Sequence, residues 1–168
     1  MHRALLPITA ISCILASTPV FGAQRGTVDL QLVQPAKFTD FDVYGRGSQW
    51  SASYFATQIS DALSPAVERK VSGGRLTLKF TDIDLAGHYR SAGRGAGSVR
   101  VTTGERHPSR MSFAFVLQDS SGRTLASGMT RLVDTSSLTS MTHNSNRRQP
   151  LYYEKRMLDR WLRSLKVS

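Results

Sequence analysis

Two aspartates, Asp82 and Asp84, end a stretch of alternating apolar and polar residues and are the pair best suited to chemistry in this sequence. In a regular strand, side chains two positions apart point to the same face. Paired carboxylates share a proton, hold a cation, or act as general acid and base. An EF-hand is excluded, because Ala86 and Gly93 stand where that loop needs ligands. The alternative is structural: one carboxylate caps a turn and the other pairs with an arginine.

A second candidate site is a segment rich in glycine and arginine that follows these aspartates. Such a segment can wrap a ligand that carries phosphate, and its basic residues are Arg90, Arg94, Arg100, Arg106 and Arg110. The whole chain carries 22 Lys+Arg against 12 Asp+Glu, a net charge of +10. This balance favours anionic partners such as lipopolysaccharide or phospholipid head groups, and nucleic acid is not expected. A further basic row consists of Arg156, Arg160 and Arg163, interpreted as a solvated helix face or as a contact for a membrane surface or an acidic partner.

The familiar catalytic and metal-binding motifs are missing from the sequence. It contains no His-Glu-x-x-His, no Gly-x-Ser-x-Gly and no Ser-x-x-Lys. His88, His107 and His143 are not spaced four residues from one another, as two ligands on one helix turn would be. We therefore expect no catalytic residues, no metal and no cofactor.

The first 23 residues have the pattern of a secretory signal peptide: a basic start, a short apolar run and small residues at the end. Cleavage is expected after Gly22 or Ala23, which leaves a single domain over residues 24–168. The apolar run is shorter than the roughly 20 residues that a membrane anchor needs. The one cysteine, Cys13, lies within this signal, so the exported chain has no disulfide and no thiol chemistry. We expect a periplasmic or secreted protein with no transmembrane segment after cleavage.

Hydrophobic periodicity predicts the elements that position these residues. A strand is expected at residues 28–32, followed by a helix that Ser48 or Ser51 caps. Pro65 is expected to break this helix, and residues 66–71 then form either a second short turn or a kinked extension. Further strands are predicted at residues 76–80, 99–103, 111–117 and 124–132, before a C-terminal helix that starts near Pro150. The predicted fold is α+β, with an antiparallel sheet of four to five strands, two main helices on one face, and the order β-α-β-β-β-β-α.

Three segments resemble a known family. They are Pro35-Ala36-Lys37-Phe38-Thr39-Asp40, Thr81-Asp82-Ile83-Asp84-Leu85-Ala86-Gly87, and the start of the last helix, Pro150-Leu151-Tyr152-Tyr153-Glu154-Lys155-Arg156-Met157-Leu158-Asp159. With the hairpin they resemble the family of unknown function DUF3016, over roughly residues 26–164. The glycine-rich insert at residues 91–97 is where this chain departs from the plainer connection expected there. The resemblance implies a small exported bacterial protein of one domain, and it supplies no activity and no functional residues.

Three functional hypotheses follow. The first is a non-catalytic envelope protein that binds another envelope component or protein through an exposed sheet edge or the arginine segment. The second is a binder of anionic glycolipid or another polyanion through the same arginines. The third is an enzyme with its site at Asp82 and Asp84.

Overall fold

A computed structural model describes residues 26–91, 98–101, 107–134 and 151–167. Its elements are β1 (Thr27–Leu32), a short 3-10 turn (Pro35–Lys37), α1 (Ser48–Lys70), β2 (Arg75–Asp84), β3 (His88–Ser91), β4 (Ser98–Val101), β5 (Ser109–Gln118), β6 (Thr124–Asp134) and α2 (Tyr152–Ser164). Four strands form one sheet in the order β1-β2-β5-β6, and β3 pairs with β4 in a separate ribbon. The predicted α+β class is confirmed.

The sheet is mixed, because β1 runs parallel to β2 while β2, β5 and β6 pair antiparallel. The parallel pair is a consequence of α1, which carries the chain back to the start of the sheet before β2 begins. The prediction of an antiparallel sheet therefore holds for three of the four strands.

Helix α1 differs from its predicted form at both ends. Gly47 precedes it without a side-chain cap, and the hydroxyl of Ser51 instead accepts a hydrogen bond from the Val43 N–H at 2.8 Å. The helix continues through Pro65 to Lys70, so the expected break at Pro65 was wrong, and the residues after it extend the helix instead of forming a separate turn. The residues after the proline are held by packing, since Ala66 and Val67 are buried in the core, and burial of this apolar surface offsets the lost backbone hydrogen bond.

A β-bulge in β2 changes which residues face the core. The even-numbered apolar residues Leu76, Leu78 and Phe80 are buried, and after the bulge Ile83 is buried instead. Phe80 pairs with Phe113 and Asp82 pairs with Ser112, so Thr81 is the extra residue. The bulge therefore keeps Ile83 in the core and leaves Asp82 and Asp84 on the opposite face of the sheet.

One face of the sheet carries the core and both helices. Helix α1 contributes Phe55, Ile59 and Leu63, each 0% exposed, and the Trp161 ring of α2 lies edge-on at 4.9 Å from Phe113. A further contact joins the helices, because Lys155 Nζ donates to Gln58 Oε1 at 2.7 Å. Burial lowers the pKa of Lys155, although Asp61 and Glu154 oppose that shift.

The turn between β5 and β6 is organised by one carboxylate. Asp119 Oδ1 accepts hydrogen bonds from the Ser121 hydroxyl at 2.6 Å and from the Arg123 N–H at 3.0 Å, and its other oxygen accepts from Arg123 Nε at 3.1 Å. These donors, with Ser121 the strongest, lower the pKa of Asp119 to about 2.

The Asp119→Asn variant should lose stability in a pH-dependent way. The pKa of Asp119 in the folded chain lies below its value in the unfolded chain, which is about 4. The ionised carboxylate therefore stabilises the fold fully above about pH 4, and this stabilisation is lost as the pH falls towards about 2. Urea unfolding of both chains should give a free-energy difference that shrinks between pH 5 and pH 2. A difference that stays constant over this range would contradict the assignment.

Candidate binding site

Asp82 is held by the segment that follows β1. Thr39 donates to Asp82 through its N–H at 2.8 Å and its hydroxyl at 3.0 Å. Thr39 lies there because Asp40 forms a parallel bridge with Asp84, which prolongs the pairing seen between β1 and β2. The carboxylate of Asp82 therefore fixes the chain that leaves the first strand.

Asp84 pairs with a residue of β5, the strand on the opposite side of β2 from Thr39. Arg110 stands opposite it in the β2–β5 register, and Arg110 Nη1 lies 2.8 Å from Asp84 Oδ2. The carboxylate is 18% exposed and the guanidinium 41% exposed, so the pair is partly shielded from water. The two aspartates share one face of the sheet, as their spacing predicted, and each has a partner of its own.

The Asp82→Asn and Asp84→Asn variants should lower stability without loss of function. Asparagine removes one of the two bonds from Thr39, at a cost of about 1 kcal/mol, or the partly exposed pair with Arg110, at about 0.5–1 kcal/mol. Urea unfolding measures this loss, and growth of a strain that carries each variant measures function. The matched control is Asp159→Asn, which removes a more exposed pair with Arg163. Loss of function at unchanged stability would instead favour a catalytic site.

The structure places the five candidate arginines in different surroundings. Arg110 is in the ion pair with Asp84. Arg90 and Arg100 occupy positions in the β3–β4 ribbon, opposite Val99 and Tyr89 respectively. Arg94 and Arg106 lie outside the described residues.

The arginine row of α2 is largely neutralised. Arg163 Nε lies 2.8 Å from Asp159 Oδ2, and Arg160 lies 3.7 Å from the buried Asp134 carboxylate. Arg156 is exposed and, among the described residues, takes part in no ion pair. Because two of the three arginines have acidic partners, the row is typical of a solvated helix face and not of a continuous basic surface.

The face of the sheet opposite the helices carries an exposed patch that the sequence did not single out. Lys79, Ala114 and Met129 form one row across β2, β5 and β6. Met129 is 82% exposed and Val133 is 47% exposed. We call this surface the open face. In the sequence this face is indicated by Ser112, Ala114 and Val116, which alternate with the larger apolar residues of β5.

Two cations on the open face have no ionic partner in the described part of the chain. Arg131 lies beside Ser112 on the same side as Met129, and Lys79 lies across Ala114 from Met129. Neither forms an ion pair there. The open face thus combines apolar exposure with uncompensated positive charge.

An aromatic cluster covers the start of α1. The rings of Trp50 and Tyr54 stack at 4.9 Å, and Tyr44 meets Tyr54 edge-on at 5.8 Å. Arg46 lies over the Trp50 ring at 4.9 Å. Burial, with a hydrogen bond to Tyr54, raises the pKa of Tyr44 to about 12. These contacts anchor the loop before the helix, with Tyr44 in a left-handed conformation at φ 65°.

A groove of about 540 Å³ runs along the outer edge of β1. Helix α1 forms one wall with Ala56, Thr57 and Ser60, and the strand forms the other with residues 28–31. The Ser60 hydroxyl donates to the Val28 carbonyl at 3.0 Å, which ties the helix to the start of the strand. We call this feature the β1 groove.

Two further kinds of feature are absent from the described residues. They contain no group of three or more His, Cys, Asp or Glu side chains placed to hold a metal ion. None of their helices is long and apolar enough to cross a membrane.

The fold and surfaces define a small α+β domain whose sheet is covered by helices on one face. The family model of proteins of unknown function, DUF3016, matches residues 26–164, and the chain belongs to that family. The resemblance drawn from the three sequence segments is thereby confirmed. Comparisons with curated proteins and with solved structures gave no match.

Proposed function

We propose that this chain is an exported, non-catalytic envelope protein that binds another envelope component or protein through its sheet. The observation that carries the proposal is the open face, where Met129 is 82% exposed beside the unpaired cation Arg131. Exposed apolar residues rimmed by polar ones are typical of interaction surfaces. Export to the periplasm or beyond rests on the signal-like pattern of residues 1–23.

The chemistry of the open face favours a partner that presents apolar and acidic groups. Lys79 and Arg131 flank the small side chains of β5, so an acidic group that approached over Ala114 would lie between two cations. Such complementarity steers association and selects among partners. The carboxylates Asp82 and Asp84 serve the fold in this proposal, because each already has its own hydrogen-bonded partner.

Oxidation of Met129 by hydrogen peroxide tests the contact. In the purified chain Met129 should react at least tenfold faster than Met111 and Met157, which are 1% and 5% exposed. In intact cells the partner should slow the oxidation of Met129 relative to these two internal references. Mass spectrometry of the tryptic peptides gives the three rates.

Two charge reversals complete this test. Arg131→Glu should restore fast oxidation of Met129 in cells, because it repels an acidic partner. Arg156→Glu is the matched control, since Arg156 lies on α2 on the other side of the sheet, and it should leave the protection unchanged. Equal oxidation of Met129 in cells and in the purified chain would reject the proposal.

A second candidate function is the binding of an anionic glycolipid or another polyanion. The net charge of +10 favours it, as do the cations Lys79, Arg131 and Arg156, which have no ion pair within the described residues. Attraction of this kind weakens with salt unless specific contacts add to it.

Binding of the purified chain to phosphatidylglycerol vesicles, at low and at physiological salt, tests this second candidate. Saturable binding that survives physiological salt, and is lost when Arg94, Arg100 and Arg106 are replaced with serine, is the expected result for a polyanion binder. Binding that vanishes with salt in both chains would show generic attraction and reject this candidate.

A further inference from the structure

The backbone of β1 presents unused hydrogen-bonding groups along the β1 groove. Thr27 N–H donates to the Gly74 carbonyl and Val33 N–H donates to the Phe80 carbonyl, both at 2.9 Å. In a parallel pair the N–H and C=O of alternate residues point to the same neighbour. The odd-numbered residues of β1 therefore bond to β2, and Val28, Leu30 and Leu32 direct their groups outwards.

Within the described part of the chain, only the first of these outward positions is engaged by another residue. The Ser60 hydroxyl donates to the Val28 carbonyl. The N–H and C=O of Leu30 and Leu32 have no protein partner among the described residues. Donor and acceptor pairs repeated every second residue, about 6.6 Å apart, are the complement of an extended backbone.

The wall opposite this edge leaves room for an added strand. The side chains that α1 directs at the β1 groove are small, Ala56, Thr57 and Ser60. The space beside the strand, about 540 Å³, is largely open to solvent. It extends around the edge to Asp29, Gln31 and Thr77, so side chains on both faces of an incoming strand would find space.

The charge of the β1 groove restricts what can enter. Among the described residues that line it, the one charged side chain is Asp29, which is already paired with Arg75 at 3.1 Å. The remaining lining side chains are apolar, hydroxyl-bearing or amide. An occupant without charge in its central residues therefore matches the groove, whereas the basic open face suits an acidic one.

We propose that the β1 groove binds an extended, uncharged segment of a partner protein, which adds to the sheet as a strand beside β1 and is clasped by α1. Its main chain bonds to Leu30 and Leu32, and every second side chain packs against Ala56 and Ser60. Strand addition between a sheet edge and a helix derives affinity from main-chain bonds and specificity from alternate side chains. This site is separate from the contact proposed at Met129, so either can fail without the other.

The test uses the purified chain and an acetylated, amidated octapeptide of alternating threonine and valine, followed by nitrogen-15 NMR. The amides of Leu30 and Leu32 should shift in a saturable way and exchange with solvent at least tenfold more slowly when the peptide is bound. The amides of Asp29 and Gln31, already bonded to β2, should keep their protection and so serve as internal references.

Two variants of α1 decide whether the groove is responsible. Ala56→Phe should fill the groove and weaken binding at least tenfold, whereas the control Ala62→Phe, at an exposed position of the same helix, should leave it unchanged. Absence of shifts at residues 28–32 with millimolar peptide would overturn the proposal. Shifts confined to β6, or equal binding by both variants, would also overturn it, while the Met129 oxidation rates would remain an independent measure of the open-face contact.

Discussion

A continuous series of aromatic contacts connects every layer of this domain. The Phe41 ring, in the loop after β1, meets Phe55 of α1 edge-on at 5.5 Å, and Phe55 meets Phe80 of β2 at the same distance. Phe80 then contacts Phe113 of β5 at 5.1 Å, and Phe113 contacts Trp161 of α2 at 4.9 Å. Such pairs add about 0.5–1.5 kcal/mol each beyond the area that they bury. Because all five rings lie on one side of the sheet, that side takes both helices and the other is left to smaller and polar residues.

The geometry around Asp82 and Asp84 follows from this packing. Phe80 must face the rings, and Ile83 must also reach the core, yet regular alternation would send one of the two outwards. The extra residue Thr81 removes the conflict, and its consequence is that both carboxylates appear on the open face. Their contacts with Thr39 and Arg110 then fix the strand end. A spacing that resembles a catalytic pair is thus produced by a requirement of the core.

The sequence predicted what depends on local periodicity and missed what depends on tertiary pairing. The alternation in β5 and the helical spacing of Phe55, Ile59 and Leu63 predicted those elements, because each pattern indicates a single buried face. The turn that begins at Asp119 predicted β6 as the partner strand of β5. Pro65 was a misleading signal, since burial of the following turn outweighed the local penalty. The parallel orientation of β1 could not be predicted from its residues, because it is set by where α1 returns the chain. The β1 groove was equally hidden, because it arises from small residues on α1 and free backbone on β1 that meet only in the fold.

The distribution of charge underlies the different occupants that we propose for the β1 groove and for the open face. Part of the positive charge in the described residues is locally compensated, as Arg75 pairs with Asp29 and Arg110 with Asp84. Among the described residues near the sheet, Lys79 on β2 and Arg131 on β6 have no ion pair, and both lie on the open face. In these proposals a segment at β1 is selected by main-chain hydrogen bonds and side-chain size, whereas a contact at the open face is selected by charge complementarity. Since the two proposed surfaces discriminate by different physical means, a segment that satisfies one need not satisfy the other.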